Sequence, residues 1–396
     1  MALPRTLLRG AGALALAATM ALASGGATVL AADPPTTTDP GAAAAGWMAV
    51  QVKGGVGPGT LADAIFAYAA AGVGADAAAS ALARLESVVD GYILDGNGHL
   101  VPGNLAKAML AVQVAGGDVS SFGGHDLEAD LRGLLITTPG PDLGRFGTAV
   151  ASDQSLAILA LARTSGGIPP TAVAWLVGVQ CPNGDFQWDD SCPGAGGEDP
   201  DTTSLALQAL LAGGASGAAA TSTQLLLDIQ GPDGAFSSYG TPNTNSSGVA
   251  GQALRAAGRT KAADAAGAFV LTLQYGCDAP AANRGAFPWA ASSAGFLVFS
   301  TPQAVLALGA PRLDKLTIDG ASAAAPVLDC PVAKPTASAT SARPGATAVV
   351  TLPPTDLGVA GATGAPVDES SLPAALVLLV AIAGGAIAAV RLRVRR

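Results

Sequence analysis

The chain has 396 residues, of which 50% are apolar, 12% charged and 4% aromatic, and its formal net charge is −9. That is too apolar for a disordered chain, and 52 glycines without a triplet period exclude a collagen-like rod. Arg5, Arg9, Arg391, Arg393, Arg395 and Arg396 lie at the two ends, so the middle is strongly acidic, and without a basic stripe it is unsuited to nucleic acid.

Residues 1–31 join Arg5 and Arg9 to the apolar run Ala11 to Leu22 and then to small residues ending at Ala31. This is the layout of a secretory signal peptide. Residues 32–43 read as a short linker and 44–319 as the folded body. Within the body, Leu61, Leu105, Leu156, Leu205, Val249 and Val305 each open an apolar helical segment, at steps of 44, 51, 49, 44 and 56 residues. Such a period holds two helices and two loops per unit. The second helix of each unit is amphipathic: Asp76 to Tyr92, Asp126 to Ile136, Thr171 to Gln180, Thr221 to Gln230 and Lys261 to Tyr275. One set is apolar all round and the other carries charge on one face, as the inner and outer helices of a closed double ring would.

A further signature links outer helices to the following loops. Trp175-Leu176 leads to Gln180 and Gly184-Asp185-Phe186, and Leu225-Leu226 leads to Gln230 and Gly234-Ala235-Phe236. Phe269-Val270, Gln274 and Gly285-Ala286-Phe287 form a third copy with an insertion. Gly144-Arg145-Phe146 and Gly98-His99-Leu100 read as decayed copies. The Gln is placed to satisfy open carbonyls at a helix end or on the next unit, the Gly permits a sharp turn, and the aromatic fills the gap between units.

Cys181, Cys192, Cys277 and Cys330 are the only cysteines. In an exported chain they imply two disulfides. Four thiols permit three pairings, of which Cys181 with Cys192 and Cys277 with Cys330 is favoured. Metal-ligand spacing is lacking, so neither a metal nor a cofactor is expected.

Residues 320–371 are rich in Pro, Thr, Ala, Gly and Ser and read as a stalk. Within them Leu352-Pro353-Pro354-Thr355-Asp356 resembles a sortase signal with Asp in place of the final Gly. Leu372 to Val390 is an uncharged run long enough to span a bilayer, and residues 391–396 form an Arg-rich tail. The expected product is a single-pass plasma-membrane protein with its body outside and its tail cytoplasmic. Retention by this helix is preferred to cell-wall attachment.

The aromatic, Gln and Gly-x-aromatic signature resembles the QW-type repeat of squalene and oxidosqualene cyclases, and the six-unit layout resembles the all-α, α6/α6 toroid. That resemblance implies a fold shared with protein prenyltransferase β subunits, the complement thioester domain and the cobalamin carriers. In it the inner helices start around one mouth. The starts read here are Thr60, Asn104, Asp153-Gln154-Ser155, Asp199 to Thr203, Asn245-Ser246-Ser247 and Ser300 to Gln303, each read as an N-cap sequence.

Asp199-Pro200-Asp201-Thr202-Thr203 resembles the Asp-x-Asp-Asp-Thr acid motif of class II terpenoid cyclases. That would make Asp201 the catalytic acid of an enzyme, although Thr202 replaces the third Asp. The Asp201 to Thr203 pattern looks more like bacterial relatives of the cobalamin carriers. The reading is therefore a surface-displayed toroid that binds a small molecule, corrinoid-like or isoprenoid, or a protein partner. Its candidate contacts are Asp153, Asp199, Asp201, Thr202, Asn245 and Gln303, with Trp188, Tyr239 and Trp289 from nearby loops. A terpenoid cyclase-like enzyme and a purely structural surface domain are the alternatives.

Overall fold

The computed structural model describes residues 35–331 except 195 and 294. The leader, the sorting-like motif and the membrane segment lie outside the described residues. After the short strand β1 (Thr36–Thr37), helices follow in pairs: α1 (Pro40–Gly54) and α2 (Pro58–Ala71), then α3 (Ala75–Ser87), the single turn α4 (Asp90–Ile93) and α5 (Pro102–Val114). Next come α6 (Leu127–Gly133) with α7 (Ala151–Leu161), and α8 (Pro170–Gly178) with α9 (Pro200–Ala212). The hairpin β2 (Phe236–Ser238) and β3 (Thr241–Asn243) lies between α10 (Ser216–Ile229) and α11 (Thr244–Ala256), and α12 (Thr260–Thr272) with α13 (Leu297–Leu306) completes the set before β4 (Val327–Leu328).

Five of these helices, α1, α2, α5, α8 and α9, have a proline in their first turn. A proline there gives up an amide that has no intrahelical partner anyway. The helices α2, α5, α7, α9, α11 and α13 each pack on the next, and α13 returns to α2. Burial follows this division: nearly every residue of α5 is buried, whereas α3 buries only Ala78, Ala81 and Leu85. The body is thus an α6/α6 toroid, as the repeat implied.

The repeated Gln residues stitch the units together. Gln180 donates from Nε2 to Ala218 O at 2.9 Å, Gln230 to Ala262 O at 2.9 Å and Gln274 to Pro40 O at 2.8 Å. Each acceptor belongs to the next outer helix or its start, and the Gln274 bond closes the ring onto α1. Phe146, Phe186, Phe236 and Phe287 are all fully buried. In the decayed copy at Gly144 the amide comes instead from Gln154, on the inner helix. It donates to Gly144 O at 2.9 Å and Ala172 O at 3.1 Å, and accepts from Phe146 N at 3.1 Å. Gln154→Ala should therefore cost about 2–3 kcal/mol in a denaturant melt, because it orphans buried backbone groups. A change under about 0.5 kcal/mol, the size of an ordinary surface substitution, would show that the bonds are dispensable.

The expected boundaries at 44 and 319 both fall inside the folded body. At the front, α1 begins at Pro40 and β1 lies earlier still. At the back, residues 311–331 form a strap, where a stalk was expected from 320. Pro311 O accepts from Gln252 Nε2 at 2.6 Å, Leu313 N donates to Gln208 Oε1 at 3.0 Å, and Leu316 O accepts from Arg163 at 2.7 Å. The strap then reaches Val114 O through Ile318 N at 2.9 Å and Gly72 O through Ser322 N at 3.1 Å. It ends with β4 parallel to β1 and with the Cys277–Cys330 disulfide.

This crossing seals the end of the ring at which the inner helices finish. It also explains why α1 lacks the amphipathic pattern of the other outer helices. The strap covers its outer side so closely that a Cβ on Gly46 would lie 1.9 Å from Pro326 O.

Candidate functional site

The mouth of the ring is set by where the inner helices start, and most of those starts differ from the sequence reading. Asp199 is an N-cap as expected: Oδ1 accepts from the amides of Asp201 and Thr202, both at 3.0 Å, and Oδ2 from Thr202 Oγ1 at 2.7 Å. The other caps are Gly57, Val101, Val150, Asn243 and Phe296. Thr60, Asn104, Asp153 and Asn245 instead sit inside the first turn, and Ser300 to Gln303 lie deeper in α13. The helices start earlier than the polar residues suggest, α2 at Pro58, α5 at Pro102 and α7 at Ala151.

Behind Asp199, the buried Asp185 accepts from Thr203 Oγ1 at 2.8 Å and Asp199 N at 3.1 Å through Oδ1. Burial raises the carboxyls of both Asp185 and Asp199 above the ordinary range. Asp201 is held by this scaffold at the second position of α9. Its Oδ1 is shut off from solvent and has no hydrogen-bond partner among the described residues. Burial, and then the neighbouring Asp199, push its carboxyl up to about 7, against the opposing pull of the Ser246 and Ser238 hydroxyls. Asp201 is thus an acid that is about half protonated at neutrality.

Asp201 faces a cavity of about 520 Å³ inside the ring, a volume ordinary for a small-molecule site. One residue from the second turn of each inner helix makes a belt around it: Asp63, Lys107, Leu156, Leu205, Val249 and Gln303. The belt has two halves. Neighbouring helices α13, α2 and α5 contribute the polar members, and α7, α9 and α11 the apolar ones. Lys107 Nζ lies 2.8 Å from each oxygen of Asp63, and both residues are more than nine-tenths buried. Phe66, Leu306 and Gln252 lie one turn deeper, and Leu313 of the strap forms the floor.

Two loops rim the mouth. One carries Trp188 and is closed by the Cys181–Cys192 disulfide. The other is the tip of the β2–β3 hairpin, Tyr239-Gly240, where both residues have positive φ (52° and 74°), as a two-residue type I′ turn requires. A tyrosine rarely adopts this backbone, and here it sets Tyr239 at the rim with its ring exposed.

Of the nine predicted contacts, Asp199, Asp201, Thr202, Gln303, Trp188 and Tyr239 line the cavity. Asn245 reaches it only through Gln303, whose Oε1 accepts from Asn245 Nδ2 at 3.0 Å. Asp153 lies outside the lining, against Gly103 of α5, where burial pushes its carboxyl to about 6. Trp289 is also outside it, its carbonyl accepting from Thr244 N at 2.9 Å. Sequence reasoning missed Asp63 and Lys107. The signal was available, since each is the lone charge in an apolar helix and the two are 44 residues apart, one repeat step.

No protein-family model matches the chain, and no curated protein matches it. Among solved structures it is similar to ent-copalyl diphosphate synthase from Streptomyces platensis, with 18% identity and a TM-score of 0.44. The match covers 64% of this chain and 50% of that one, so this chain spans about half the length of that structure.

Proposed function

We propose that this protein is a small-molecule receptacle carried on the outer face of a membrane. One observation carries the reading: a ring closed at one end by the strap encloses a cavity of about 520 Å³ that Asp201 and the belt residues line. Full pairing of all four cysteines supports an oxidising, extracytoplasmic setting. The outward display itself rests on the leader and the membrane segment read in the sequence, as does the partner role of the bilayer. Of the ligand types considered, an isoprenoid-like molecule suits the apolar half of the belt. The corrinoid relation and a protein partner have no further support.

Native mass spectrometry of the full chain released from its own host membranes tests the reading. An added mass that is lost on denaturation, and lost in Asp201→Ala at unchanged thermal stability, is the expected result. A bare mass, together with a mouth that tolerates substitution freely, would instead make the toroid a structural surface domain.

A second reading, a terpenoid cyclase-like enzyme, draws on one specific observation: a buried carboxyl pushed up to about 7, and so partly protonated at neutrality, suits general-acid work on an alkene. Against it, Phe66 is the one aromatic below the rim among the lining residues, and carbocations need aromatic faces around them. Conversion of a neutral polyene such as squalene, abolished by Asp201→Asn, would move this reading to the front.

A further inference from the structure

A buried ion pair is costly compared with well-packed apolar residues of the same size. Asp63 and Lys107 nevertheless take two of the six belt positions, where the equivalent residues on α7, α9 and α11 are Leu156, Leu205 and Val249. The pair is self-neutralising, and it does not use all the donors it holds. An ammonium has three N–H groups, and Lys107 Nζ has no hydrogen-bond partner other than Asp63 among the described residues. Gln303, on the neighbouring polar wall, is in a similar state. Its Oε1 is taken by Asn245, and its Nε2 donates to no protein group among the described residues.

The polar half of the belt therefore offers donors without partners, on Lys107 and Gln303, whereas its oxygens on Asp63 and Gln303 each already accept a bond. Charge narrows the choice further. Among the described residues Lys107 is the one cation lining the cavity, alongside the acidic residues Asp63, Glu198, Asp199 and Asp201. An anionic ligand would have to displace Asp63 from Lys107 and leave that carboxylate buried without its partner, losing more in desolvation than a single hydrogen bond returns.

We propose that Lys107 and Gln303, on the two helices that flank α2, supply the donors that recognise a carbonyl group on one edge of a neutral ligand whose opposite edge is apolar and packs on Leu156, Leu205 and Val249. This rests on the reading of the toroid as a small-molecule receptacle. It also excludes carboxylates, sulfonates and phosphate esters from the cavity.

Fluorescence titration of the full chain with three naphthalene probes of similar size tests it. They are the neutral ketone prodan, its propyl analogue without the carbonyl oxygen, and the anionic anilinonaphthalene sulfonate. Prodan is expected to bind about tenfold more tightly than the propyl analogue, the value of one good hydrogen bond, and the sulfonate to show no saturable binding. The double variant Asp63→Leu/Lys107→Met should melt no lower than the parent while losing the preference for the ketone. Gln303→Leu, which leaves the ion pair in place, should lose part of that preference. Equal binding of ketone and propyl probes, a preference that survives both variants, or tight sulfonate binding would each overturn the recognition point while leaving a small-molecule cavity. Saturable binding of none of the three would overturn both readings.

Discussion

Replacing Asp201 with Asn should make the protein more stable at pH 8 and leave it unchanged at pH 3. In the fold this carboxyl is pushed up to about 7 by burial and by Asp199, whereas in the unfolded chain it titrates near 3.9. The folded state thus holds the proton more tightly. Its favourable contribution is complete below about pH 4 and is lost as the pH rises through about 7. Above that, the wild-type protein carries a buried charge costing about 2–4 kcal/mol, which Asn removes while mimicking the protonated acid in shape. Asp153, raised to about 6 by burial, adds a decline of the same sign. Chemical denaturation at the two pH values measures the effect. An equal gain at both would trace the change to packing instead of charge, and a loss at both would make the acid structural.

Gly234→Ala should be among the most damaging of the glycine substitutions outside the cavity, at about 3–5 kcal/mol. Gly234 has φ 89°, and a Cβ there would lie 2.3 Å from Ala265 O on α12. The left-handed backbone disfavours Ala, and the contact forces the loop away from the next unit, putting the Gln230 bonds at risk. Gly258 separates the two causes. Its φ is 73°, but a Cβ would meet nothing within 4 Å, so Gly258→Ala should cost only the backbone share, about 1–2 kcal/mol. Comparable losses in the two variants, read from urea melts, would show that the loops are free to separate from the outer ring.

What was legible beforehand was what repeats. The Gln after α8, α10 and α12 and the aromatic after the following Gly occupy corresponding places because these units meet their neighbours in the same way, so identical contacts select identical residues. The cysteine pairs were legible from proximity along the chain and from parity. The strap was not, because its bonds run from backbone to helix ends and impose no side-chain period on residues 311–331. Helix starts were misread for a related reason: polar residues in a first turn, such as Asn104, look like caps, whereas Asn104 donates to Tyr92 O at 2.9 Å. Asp63 and Lys107 escaped notice because each alone looks like an irregularity in an apolar helix. Only the closed ring shows that they are equivalent residues on adjacent walls.

Ring closure has a further consequence, for how the molecule is built. An open array of helical hairpins can start folding anywhere and spread by nearest-neighbour contacts, with its end units exposed. Here the last inner helix must find α2, and Gln274 must find Pro40, 234 residues away. The last of these contacts carry the largest loop-closure entropy, and they form only when the other units are in place. Until then both ends of the array expose apolar helix faces to whatever is nearby. Assembly should accordingly be slow and all-or-none, with half-built arcs prone to join other half-built arcs.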